Sequence, residues 1–220
     1  MTKVYLADVD RLADPALFEK LYQTVPFHRQ EKIDALRFAK DKQMCLGAWL
    51  LLIHVLQEEG LGEREIKLSY GPHGKPYLAD FPNVFFNLSH SGNRVLCAVS
   101  DREVGCDVQK ITDFNQRLAD RFFSSEECAV IAEATYEKRD GIFFRLWALK
   151  ESFVKNIGRG LSLPLKEFSI DLKTESVSVI QQVLPGETFY FREFDLSDGY
   201  RYACCARQPE IGEIVNVQLD

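Results

Sequence analysis

Two hydrophobic periods alternate along this chain, and the switches between them mark its elements. Residues 4–9 read as a first strand. Residues 15–23 read as a short helix, with Asp14 as its N-cap and Pro15 at the first helical position. Residues 29–38 predict a second helix, and residues 41–59 a long one with an apolar middle that Gly60 ends. Short strands at 66–70 and 77–78 flank a Gly71-Pro72-His73-Gly74 turn. Strands are predicted at 84–88, 95–100 and 104–108, separated by short polar turns. Helices follow at 116–123, 126–134 and 140–157, then strands at 168–172, 177–180, 189–194 and 200–206. The fold class is therefore α+β, each half being helices plus an antiparallel sheet. The order of elements suggests two similar halves, residues 1–104 and 105–220. No low-complexity linker divides them, so tight packing is expected.

Composition narrows the class. Of 220 residues, 46% are apolar and 27% charged, as in an ordinary globular protein. The net charge of -6 argues against nucleic acid as the main partner but leaves room for a local basic pocket. The greasiest run, residues 46–56, is about half the roughly 20 residues a membrane span needs and reads as a core helix. Charge appears before any apolar run at the start, so no secretory signal is expected. None of the six cysteines forms a C-x-x-C pair, which argues against zinc and for reduced, buried thiols in a cytoplasmic protein. His54, within an apolar helix, is expected to be a core residue, and His28 and His73 receive no role.

Four segments carry candidate chemistry. In Val104-Gly105-Cys106-Asp107-Val108-Gln109-Lys110, strand alternation puts Val104, Cys106 and Val108 on one face and Asp107 with Gln109 on the other. Gly105 would let a ligand or another backbone come close. In the helix containing residues 147–155, Trp147, Glu151 and Lys155 stand at i, i+4 steps on one stripe. That stripe is either a surface ion pair or, given the tryptophan, a half-buried metal and phosphate site. In Asn87-Leu88-Ser89-His90-Ser91, an apolar strand ends in hydroxyls, an amide and an imidazole, either an anion-binding tip or a capped turn. Gly71-Pro72-His73-Gly74-Lys75-Pro76 is a rigid turn presenting one lysine, and it is not a Walker loop.

Taken together, Gly74-Lys75-Pro76, Phe86-Asn87-Leu88-Ser89-His90-Ser91, Gly105-Cys106-Asp107, Phe122-Phe123-Ser124-x-x-Glu127 and Trp147-x-x-Lys150-Glu151-Ser152 resemble the Sfp-type 4′-phosphopantetheinyl transferases. Gly158-Arg159-Gly160-Leu161 adds to the match. The resemblance implies two α+β halves related by a pseudo-two-fold, working as a monomer with coenzyme A in the cleft. It implies Mg²⁺-dependent transfer of phosphopantetheine to a serine of an acyl or peptidyl carrier protein, releasing 3′,5′-ADP. By the same resemblance, Asp107 and Glu151 look like Mg²⁺ ligands, with Gln109 a third candidate where many members carry Glu. Lys155 looks like the residue assisting at the pyrophosphate. Lys75, Pro76, Ser89, His90 and Lys42 look like contacts to the coenzyme. Met44 departs from the pattern, standing near where an arginine often sits. The base is open between Glu151 and a water. Arg117 and Arg121 are candidates to receive the carrier, with a solvated helix face as the alternative. Two other readings are a non-catalytic module that binds coenzyme A or a carrier, and a Mg²⁺-dependent nucleotide pyrophosphate hydrolase.

Overall fold

The computed structural model describes residues 1–61, 66–172, 177–181 and 183–220. The first half runs β1 (Thr2–Asp8), α1 (Pro15–Tyr22), α2 (Phe27–Asp34), α3 (Ala39–Glu58), β2 (Leu68–Tyr70), β3 (Pro76–Leu78), β4 (Phe85–Ser91) and β5 (Arg94–Ser100). The second runs β6 (Val104–Lys110), α4 (Gln116–Phe122), α5 (Ser125–Glu133), α6 (Tyr136–Ile157), β7 (Ser169–Asp171), β8 (Ser178–Ile180), β9 (Tyr190–Phe194) and β10 (Tyr200–Ala206), and β11 (Ile211–Val217) follows. The two halves repeat one order: a strand, three helices, a two-stranded hairpin and two more strands. Their sheets repeat it too. The order β1-β5-β4 in one matches β6-β10-β9 in the other.

Side-chain alternation decides how these sheets stack. Tyr5, Ala7, Val95, Cys97 and Val99 face α3 and join its core. Val4, Leu6, Leu96 and Ala98 face the other way, into a core shared with Val104, Cys106, Val108, Tyr202 and Cys204. Ala203 and Cys205 on the far side of the second sheet meet α6. The result is helix, sheet, sheet, helix, with the two sheets back to back. No helix among the described residues is long and apolar enough to cross a membrane, and the apolar stretch of α3 is core, as expected.

Several expectations are corrected. β11 was not predicted, and it pairs with β1 in parallel, so the first sheet is mixed rather than antiparallel. This last strand crosses the seam placed at residues 104/105 and lies in the first half's sheet. A register shift between Thr2 and Val4 sets Ile211 and Ile214 three residues apart opposite β1, so no period of two is visible. The second helix starts and ends earlier than its apolar pattern suggests, and α6 starts at Tyr136, whose first turn faces solvent. His54 is half-buried, its ring edge-on to Tyr5, rather than a core residue. All six cysteines are free, but Cys45 and Cys128 are only partly buried.

Candidate active site

The seam between the halves is built by an alternating row of polar side chains. β4 continues through Ser91, so Ser89 and His90 lie within the strand and not at its tip. Asn87, Ser89 and Ser91 point the same way, as period two demands. Asn87 Oδ1 accepts from Cys106 N at 2.9 Å, Ser89 Oγ from Val108 N at 3.2 Å, and Ser91 Oγ from Lys110 N at 3.1 Å. Side chains thus replace a backbone ladder between β4 and β6, satisfying buried N–H groups that would otherwise be orphaned.

α6 reaches this seam because of Gly105. A Cβ there would lie 2.1 Å from Ser152 O and 2.3 Å from Asn156 N. The close approach foreseen at Gly105 is therefore that of the α6 backbone. It brings Glu151 and Lys155 over Asp107.

Asp107 is 1% exposed, and both its oxygens are engaged. Oδ1 accepts from Ser89 Oγ at 2.7 Å and from Lys155 Nζ at 2.6 Å. Oδ2 accepts from the Gln109 amide at 2.8 Å. Ser89 is fully used: it donates to Asp107 and accepts from Val108 N and, at 2.9 Å, from Lys155 Nζ. Burial pushes the Glu151 carboxyl above its ordinary range, the Asp107 charge adds to the rise, and Lys155 opposes it. Burial pulls the Lys155 ammonium down, but Asp107, Cys106 and Glu151 outweigh it and hold its pKa above the ordinary lysine value. Burial and the Lys155 charge hold His90 below the usual imidazole value, against the pull of Asp107 and Asp41. These couplings place Asp107, Glu151, Lys155 and His90 in one cluster.

Among the described residues no group of three His, Cys, Asp or Glu is poised for a metal. The donor set still fits Mg²⁺. Burial and then the Asp107 charge raise the Glu151 pKa, so a cation beside the two hard carboxylates would be favoured, and Mg²⁺ is commonly held by one or two carboxylates plus substrate phosphates. Gln109 turns its amide N–H to Asp107 and leaves its carbonyl oxygen as the group available to a cation.

A cavity of about 640 Å³ opens beside the cluster, lined by His90, Gly74, Pro76, Asp41 and the cations Arg29, Lys32 and Lys40. Arg29 is buried, its guanidinium 4.2 Å above the Trp49 ring. Pro76 and His90 both line this cavity. Lys42 is half-buried on α3 and does not line this cavity, whereas Lys40, two residues earlier, does. Lys75 is held elsewhere: its amino group bonds Glu103, Val104 O and Asn156 O. The basic wall was missed by sequence reasoning. Its signal was the i, i+3 pair Arg29 and Lys32 on one helix.

Apart from Glu151, two of the motifs prove to be scaffolding. Lys150 is fully buried and donates to both oxygens of Glu127, at 2.8 and 2.7 Å, and to Phe168 O at 2.7 Å. Glu127 also accepts from Ile170 N and closes a capping box with Ser124. This hub ties α5, α6 and β7 together behind Glu151. Trp147 packs with Phe122, Phe123 and Phe143. Arg117 and Arg121 lie exposed on α4.

Two half-domains of like topology thus meet at a seam that holds two carboxylates and an ammonium, with a basic-walled cavity beside it. Residues 103–205 match the family described as 4'-phosphopantetheinyl transferase superfamily, and residues 13–102 match that described as 4'-phosphopantetheinyl transferase, N-terminal. A 4'-phosphopantetheinyl transferase of Bacillus subtilis is 31% identical over 209 residues, covering 94% of this chain and 93% of the relative. The 4'-phosphopantetheinyl transferase Sfp of Bacillus subtilis (strain 168) is 30% identical over 216 residues, covering 98% and 96%. Among solved structures, the holo-[acyl-carrier-protein] synthase of Thermotoga maritima gives a TM-score of 0.42 at 18% identity, covering 49% of this chain and 64% of that one. The chain belongs to the 4′-phosphopantetheinyl transferase family of enzymes.

Proposed function

We propose that this chain transfers the 4′-phosphopantetheine arm of coenzyme A to a serine of an acyl or peptidyl carrier protein, with Mg²⁺, releasing 3′,5′-ADP. The observation that supports it best is the convergence of Asp107, Glu151 and Lys155 at the seam, where Ser89 of the other half bonds Asp107 and Lys155, with a cation-walled cavity beside them. Asp107 and Glu151 would hold the cation, and Gln109 could add its carbonyl oxygen. Bound there, Mg²⁺ would neutralise charge on the diphosphate under attack.

The chain's own groups have separable tasks. Arg29, Lys32 and Lys40 supply positive charge for the nucleotide end of the coenzyme, and Pro76 and Gly74 wall it in. A neutral His90 can donate to a phosphate without adding charge. Lys155 stays protonated and can move from Asp107 to the 5′-phosphate of the departing 3′,5′-ADP, stabilising or protonating it. Glu151, with its raised pKa, is suited to take the serine proton. Most of the acceleration comes from positioning and charge stabilisation. In this reading residues 1–104 joined by β11 form one half and the rest of residues 105–220 the other, the coenzyme lies in the cleft, and one chain suffices in the cytoplasm.

Mixing the protein with Mg²⁺, coenzyme A and an apo carrier tests it. A gain by the carrier of one phosphopantetheine mass is expected. Release of phosphopantetheine without carrier would instead make it a hydrolase, and neither product a binding module.

A further inference from the structure

Lys75 stands at the end of the β2–β3 turn, between Gly74 and Pro76, which line the basic-walled cavity. An ammonium has three N–H donors. All three are spent here: on the Glu103 carboxylate, on Val104 O at 3.1 Å and on Asn156 O at 2.9 Å. The side chain is only 18% exposed. Its acceptors are themselves fixed, because the Asn156 amide donates to Glu103 O and Cys205 O, both at 2.9 Å. The end of α6 is shaped to meet it. Gly158 takes the left-handed conformation, φ 69°, and a Cβ there would lie 3.2 Å from Lys75 Cδ. At Gly160, φ 51°, a Cβ would lie 3.5 Å from His73 O.

One cation therefore fastens three elements that carry different parts of the site. The β2–β3 hairpin carries Gly74 and Pro76 to the coenzyme cavity, β6 carries Asp107, and α6 carries Glu151 and Lys155. We propose that Lys75 is a positioning residue, a staple that sets the hairpin wall in register with the carboxylates, and that its amino group does not bind the coenzyme's phosphates. This rests on the coenzyme A reading above. It also accounts for the Gly158-Arg159-Gly160 segment, which the reaction itself does not use.

The sign of one substitution separates staple from ligand. If Lys75 bound a phosphate, Glu103→Ala would release it and tighten coenzyme binding. As a staple, Glu103→Ala and Lys75→Met should each weaken coenzyme A binding, measured by calorimetry, by about tenfold. The double variant should be little worse than either single one, since both break one contact set. Turnover at saturating coenzyme should stay within about threefold of the unaltered chain, because Asp107 and Lys155 are untouched. Tighter or unchanged binding in Glu103→Ala, or additive losses, overturns the proposal. A parallel melting cycle reads the staple without coenzyme: coupled losses of Tm support it, and additive ones sink it. If the unaltered chain binds no coenzyme A while the melting losses are coupled, the coenzyme reading fails and the staple stands as a fastening of the two halves only.

Discussion

The hydroxyl of Ser89 lies 2.7 Å from Asp107 Oδ1 and donates to it, while the same oxygen accepts from Val108 N and Lys155 Nζ. One small side chain thus belongs both to the seam that joins the halves and to the cluster proposed to carry the chemistry. Ser89→Ala removes a charge-assisted bond worth about 1.5–3 kcal/mol and leaves Val108 N buried without a partner. Carrier modification should fall roughly 10- to 150-fold in kcat/KM. Turnover equal to that of the unaltered chain would show that the hydroxyl only fills the seam.

Gly105→Ala tests how the helix is held over the strand. The new methyl would meet backbone atoms at 2.1 and 2.3 Å, which no rotamer change relieves. Overpacking of this kind costs about 1–3 kcal/mol or more. Displacing Glu151 and Lys155 by an ångström should cost on the order of 10²-fold in rate. Gly71→Ala, where the nearest atom would be 3.7 Å away, should leave the melting temperature close to unaltered. Equal melting and activity for both variants would remove Gly105 from the account.

Much of the site was legible because it follows the two backbone periods. Alternation alone set Asp107 against Val108 and Cys106, and i, i+4 spacing alone set Trp147, Glu151 and Lys155 on one stripe. What was not legible depends on partners distant in sequence. Asn87, Ser89 and Ser91 look like a strand ending in a turn, because their acceptors serve N–H groups on another strand. Lys75 looks like a free cation until Glu103, Val104 and Asn156 use its donors. β11 escaped because its register shift erases the alternation that announces a strand.

The Lys150–Glu127 pair should matter to stability more than to chemistry. Burial holds the Lys150 ammonium below its ordinary pKa, and the Glu127 carboxylate opposes that fall. Removing one partner strands a buried charge, so Lys150→Met should cost about 3–5 kcal/mol. At roughly 2–4 °C per kcal/mol for a chain of this size, the loss is visible in a simple melt. Adding Glu127→Gln to Lys150→Met should recover part of it. If the two losses simply add, the ion pair is not what holds α5 to α6.

The raised Glu151 pKa predicts a proton count for cation binding. Below that pKa, Glu151 carries a proton that an incoming Mg²⁺ must expel. Apparent Mg²⁺ affinity should therefore rise with pH, then level off once Glu151 is ionised unaided. Calorimetry in buffers of different ionisation enthalpy should show more proton release near about pH 5 than near about pH 8. Glu151→Gln should abolish the difference. Its persistence in that variant would assign the proton to another group.

Gln109→Glu turns the same electrostatics the other way. The new carboxylate would stand beside Asp107, where an amide N–H now donates at 2.8 Å. Without a cation, three carboxylates would share the site and one attractive contact would become repulsive, so the melting temperature should fall. With Mg²⁺ the added charge becomes attractive, and cation affinity should rise on the order of tenfold. The two effects are linked: the melting temperature lost without metal should return on adding it, by more than the unaltered chain gains. A fall in stability with no gain in Mg²⁺ affinity would mean that residue 109 only orients Asp107. In that case the cation rests on two carboxylates and the diphosphate it binds.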